Sequence, residues 1–183
     1  MTTTEYNLKP VDRITTGAIG SPGKRVFYLQ ARKDDQLVTL IVEKQQMKQL
    51  AEKLEDFLAE LNKRSTDLPD ASSDYNEKVM TLEQPIDPAF RVGLMGLGYD
   101  EEIDLLVLVV REVEPVDDSI EMASVARFWC TRSQMRSMCQ WCLELASRGR
   151  PICGNCGQPI DPEGHFCPKS NGHKRQPTYQ HRV

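Results

Sequence analysis

The chain has 183 residues, 39% of them apolar and 27% charged, which is room for one main domain and a small appendage. A domain of about 150 residues buries roughly 70% of the surface its unfolded chain exposes, so disulfides are not required for stability. The net charge of −4 is uneven: residues 1–130 hold 15 basic against 24 acidic side chains, and residues 131–183 hold 8 against 3, so the basic end either leans on the acidic body or faces an anionic partner.

The opening "MTTTEYNLKP" lacks the basic and apolar regions of a signal peptide, and the longest apolar run, "LLVLVV" at 105–110, is too short to span a bilayer. A cytoplasmic protein without a membrane segment is expected. In a reducing compartment its six cysteines read as metal ligands or core residues.

Along the chain, "GAIG" at 17–20 leads into the turn "SPGK", the strand "RVFYLQAR" and the short turn "KDDQ". "LVTLIVEKQQMKQLAEKLEDFL", from Leu37, then reads as a strand running into an amphipathic helix. The polar segment 62–85 reads as a flexible linker. Beyond it the pattern returns: "GLMG" at 93–96, "IDLLVLVV", and "VARFWCTRSQMRSMCQWCLELA" from Val125. Superposed, the helices bring Met47, Leu50, Ala51, Leu54, Phe57 and Leu58 onto Met135, Met138, Cys139, Cys142, Leu145 and Ala146, which is the spacing of one buried helical face. The acidic stretch 112–121 is the natural place for the extra length of the second copy. A capping box, Thr131 with Gln134, opens the second helix, and Gly149 with Pro151 ends it.

The expected fold is therefore α+β. Two internally duplicated βββα units (1–61 and 86–149) form antiparallel sheet with two helices, a small zinc ribbon follows at 150–175, and 176–183 is a disordered tail. Where the first helix has Lys53 and Glu55 the second has Trp141 and Leu143. That wider apolar face calls for a cover, with the ribbon as the nearest candidate and an unseen partner as the alternative.

"CGNCG" from Cys153 has the form of a zinc knuckle, and "HFCP" brings an imidazole and a third thiolate to it. His165 and Cys167 are two apart, so an extended segment points both to one side. The expected ligands are Cys153, Cys156, His165 and Cys167, with His173 as the alternative fourth. Four protein ligands leave no open position, so the zinc is expected to be structural, supplying on the order of 10 kcal/mol to fold a segment too short for a core. A redox C-x-x-C would need neither Cys167 nor a histidine. The second C-x-x-C, Cys139 and Cys142, falls on the buried helix face, and Cys130 is likewise core.

"GAIGSPGKR" is not a phosphate loop: Ala18 stands where a glycine and Arg25 where a serine or threonine is needed. All three histidines lie beyond residue 164, so the main domain has none to act as a general base.

"RVFYLQAR", "EQPIDPAFRVG" and "CGQPIDPEGHFCP" together resemble an uncharacterised bacterial family, domain of unknown function 3090, over nearly the whole chain. The resemblance implies a G-H-x-C-P element, carried here by Gly164, His165, Cys167 and Pro168, and it implies no activity. The leading expectation is a non-enzymatic module that binds a protein partner. One alternative is a nucleic-acid binder using Arg148, Arg150, Lys169, Lys174 and Arg175. The other is an enzyme using carboxylates in a cleft between the repeats.

Overall fold

The computed structural model describes residues 4–65, 68–113, 123–149, 153–160 and 164–169. Nine elements follow one another: β1 (Glu5–Leu8), β2 (Arg13–Ile19), β3 (Val26–Lys33), β4 (Gln36–Val42), α1 (Lys44–Arg64), β5 (Pro88–Asp100), β6 (Leu105–Glu112), β7 (Val125–Cys130) and α2 (Arg132–Ser147). After β1 the order strand, strand, strand, helix occurs twice. Strands β6 and β7 alternate in burial with period two, whereas β2, β3 and β4 carry runs of consecutive buried residues. In β7, Ala126, Phe128 and Cys130 are buried while Val125, Arg127 and Trp129 are half-exposed.

The strands form one seven-stranded sheet in the order β1-β7-β6-β5-β4-β3-β2. It is mixed rather than antiparallel throughout, because β4 pairs parallel with β5 and β1 parallel with β7. The first of these follows from connectivity: α1 and the segment after it carry the chain back to the starting end of the sheet, the ordinary origin of a parallel pair. β1, short and polar, has no counterpart among the expected strands.

β1 and β2 are the two edges of the sheet, yet only residues 9–12 join them. At about 3.5 Å per residue that connection reaches roughly 17 Å, whereas seven flat strands would set the edges roughly 29 Å apart. The sheet must curl. Two main-chain hydrogen bonds show the closure: the Val11 N–H donates to the Trp129 carbonyl on β7, and the Asp12 N–H to the Arg32 carbonyl on β3, both at 2.8 Å.

Within the curl lies a single core. Leu29, Leu40, Leu108 and Phe128 of the strands meet Met47, Leu54, Met135 and Met138 of the helices there. Both helices start at capping boxes, Glu43 with Gln46 and Thr131 with Gln134. Among the described residues no helix is long and apolar enough to cross a membrane.

Of the expected linker, residues 62–64 complete α1. Residues 68–85 are a strap against the body. The Arg132 and Arg136 guanidiniums donate to the Pro69 and Ala71 carbonyls, and the Ser137 hydroxyl to the Asp74 carbonyl. Further on, Thr15 Oγ1 donates to the Met80 carbonyl, Arg13 to the Val79 and Thr81 carbonyls, and the Gln30 amide exchanges hydrogen bonds with the Glu83 main chain.

The strap also bears on the wide face of α2. Trp141 is buried against β2, its indole N–H donating to the Thr16 carbonyl at 2.9 Å. Its ring meets Tyr75 of the strap, with centroids 5.4 Å apart, and the Arg148 guanidinium 5.1 Å from its centroid. Among the described residues the strap and β2 meet Trp141, while Leu143, the other residue of the wide face, is 37% exposed.

Candidate metal centre

Local turns bring the four expected ligands together. The Gly157 N–H donates to the Cys153 carbonyl, and the Cys153 N–H to the Gln158 carbonyl, both at 2.8 Å. These bonds fold "CGNCGQ" back on itself. Of the two glycines that follow cysteines in the knuckle, Gly157 is the one whose conformation demands glycine, at φ +74°. On the returning segment, Gly164 takes φ +95° immediately before His165. His165 and Cys167 then turn inward while Phe166 between them is 74% exposed, the alternation of an extended chain.

The four donor atoms, one each from Cys153, Cys156, His165 and Cys167, lie within 4.8 Å of one another. Cys153 Sγ and Cys167 Sγ are 3.8 Å apart, and Cys156 Sγ and His165 Nε2 are 3.3 Å apart. A tetrahedral ion bound at ordinary zinc–sulfur and zinc–nitrogen lengths requires sulfur–sulfur edges of about 3.8 Å and sulfur–nitrogen edges of about 3.5 Å. The same 3.8 Å is far beyond the roughly 2.05 Å of a disulfide. The donor set and spacing thus fit a metal ion. Cys153 and Cys167 are buried, while Cys156 and His165 are half-buried.

The electrostatics agree. The Gln158 backbone amide, the largest influence on Cys156, favours its thiolate, but partial desolvation and the neighbouring thiols of Cys153 and Cys167 outweigh it and raise the pKa. A bound cation would remove that penalty.

The sequence pattern did not single out Gln158, whose carbonyl and amide shape the knuckle through main-chain atoms common to every residue. His173 lies outside the described residues, as do Arg150, Lys174, Arg175 and the tail. Arg148 is engaged by Glu77 at 2.7 Å and Glu144 at 2.9 Å. Lys169 is exposed beside the cluster. Cys130, Cys139 and Cys142 are buried in the core, away from the cluster. As for carboxylates between the two halves, Glu55 and Asp70 line a small cleft with Arg132 and Arg136, and Glu55 is taken there by both Arg136 nitrogens at 2.8 Å.

Fold and cluster define an α+β protein whose C-terminal Cys3His group can hold a metal ion. The chain belongs to the family described as "Protein of unknown function (DUF3090)", which it matches over residues 6–167, from β1 to the last of the four donors. No curated protein and no solved structure matches it.

Proposed function

We propose that the cluster binds one structural Zn2+ through Cys153, Cys156, His165 and Cys167, and that the protein is a cytoplasmic, non-enzymatic module that binds a protein partner. The observation that carries the metal reading is the mutual approach of three sulfurs and one imidazole nitrogen within 4.8 Å. Three soft thiolates with one imidazole suit zinc, and a complete set of four protein ligands leaves no coordination position for water or substrate. Phe166, 74% exposed and clamped between two ligands, supports the binding role, since a rigidly held aromatic loses little entropy on docking. Two βββα copies arising by duplication account for the recurring element order and for the shared helical face.

Co2+ substitution with optical spectroscopy tests the centre: tetrahedral thiolate coordination gives strong charge-transfer bands that Cys153→Ser diminishes. Affinity capture from the native cell with wild-type, Cys153→Ser and Phe166→Ala proteins tests the role. A partner retained by wild-type and lost by both variants supports it, and a partner indifferent to both contradicts it. Hydrolytic or transferase activity that survives Cys153→Ser would favour catalysis elsewhere in the body.

A further inference from the structure

A second concave site lies where the ends of the two helices meet. The end of β4 with the start of α1 (Ile41, Val42, Glu43, Lys44), the start of β3 (Arg25, Val26, Phe27) and the end of α2 (Leu145, Ala146, Ser147) wall a cavity of about 630 Å³. That size falls within the roughly 300–1,000 Å³ of small-ligand pockets. Its charge is opposite to that of the protein as a whole. Among the described residues Arg25, Lys44 and Arg91 line it with one carboxylate, that of Glu43, in a chain of net charge −4.

The three cations are held without being used up. Lys44 Nζ donates to the Ala146 carbonyl at 2.7 Å, and Arg25 to the Arg148 carbonyl at 3.0 Å. Arg91 Nη1 donates to Glu43 at 2.6 Å. An ammonium has three N–H donors and a guanidinium five, so donors remain on each among the described residues. Clamping the carbonyl end of α2 accounts for Arg25 and Lys44. Arg91, which reaches the same cavity from β5, takes no part in that clamp and is paired with Glu43 at the start of α1.

We propose that this cavity binds a small phosphate-bearing molecule with an apolar body. The two guanidinium forks and the ammonium take the phosphate, and Phe27, Val42 and Leu145 take the apolar part. The site goes beyond the metal reading and stands without it, because among the described residues Pro159 is the one lining residue from the metal segment.

The test is a titration of the full-length protein with inorganic phosphate and with phenyl phosphate, followed by the amide resonances of Val26, Lys44 and Ser147. Saturable shifts are expected, tighter for phenyl phosphate, and weakened about tenfold or more in Arg91→Gln. Arg91 is exposed, takes no part in clamping α2 and loses only a surface ion pair to Glu43, so this variant should keep the fold, which an unshifted spectrum elsewhere verifies. Lys44→Met should weaken binding as well. No saturation with either probe up to about 10 mM, a regime weaker than the roughly 4 kcal/mol of a millimolar site, would overturn the proposal. Binding unchanged in Arg91→Gln would do the same, since it would place the ligand elsewhere than at this three-cation site.

Discussion

Arg132 is only 6% exposed, and a buried guanidinium is tolerable only when fully partnered. It places two nitrogens on Asp104, at 2.9 and 3.1 Å, and a third on the Pro69 carbonyl at 2.7 Å, while the Tyr99 hydroxyl donates to the same carboxylate at 2.9 Å. The Arg132 hydrogen bonds hold the Asp104 carboxyl below its ordinary pKa against the opposing desolvation, with Tyr99 adding to the effect. Asp104→Asn should cost about 1 kcal/mol, the charged hydrogen bonds being weakened by solvent at a carboxylate that is 47% exposed, measured by urea unfolding at neutral pH. A depressed carboxyl stabilises above the unfolded pKa of about 3.9 and loses its contribution as pH falls through the lower folded value. The gap between wild type and variant should therefore close in strongly acid solution. At this scale the sequence was legible in its cysteines. Burial pushes Cys130 up to about 12 and Cys142 up to about 11, as expected of core thiols on the apolar face of β7 and α2. A thiol reagent at pH 8 should leave Cys130, Cys139 and Cys142 untouched until denaturant is added. Cys153, Cys156 and Cys167 should react as soon as a chelator is present.

Elements were legible where side-chain periodicity carried them. The two helices, strands β2 to β7 and the Thr131–Gln134 cap follow from apolar spacing and cap chemistry, both of which are properties of side chains. The strap was not legible, because it is held through main-chain carbonyls at Pro69, Ala71, Asp74, Val79, Met80 and Thr81. Its polar composition reads as a linker while its backbone supplies the acceptors. The sequence marked one consequence without explaining it: the glycine of "GAIG". A Cβ at Gly17 would stand 2.4 Å from Leu82 Cγ, so a side chain there would force the half-buried Leu82 of the strap to shift. Gly17→Ala should cost about 1–3 kcal/mol by overpacking, with the loss recovered in Gly17→Ala/Leu82→Ala, measured as thermal midpoints. The β5–β6 hairpin, which extends to Asp100 and Leu105, is longer than the β2–β3 hairpin, which closes between Ile19 and Val26.

For the whole molecule, curvature was hidden in the sequence because it depends on which strands become neighbours. Only the order of the sheet, combined with the short β1–β2 connection, requires it. The curled body buries its core around both helices without using any of the four donor residues, so the body and the metal segment should separate energetically. Chelation should collapse the knuckle amides in hydrogen exchange and leave protection in β3, β6 and α2 unchanged. The most direct measurement is the metal content of purified full-length protein by inductively coupled plasma mass spectrometry, alongside Cys167→Ser and the core control Cys139→Ala. One zinc per wild-type chain, kept by Cys139→Ala and lost by Cys167→Ser, is the predicted result. A wild-type chain that takes up no stoichiometric ion from zinc-containing buffer, or a Cys167→Ser chain that holds it as well, would contradict the account.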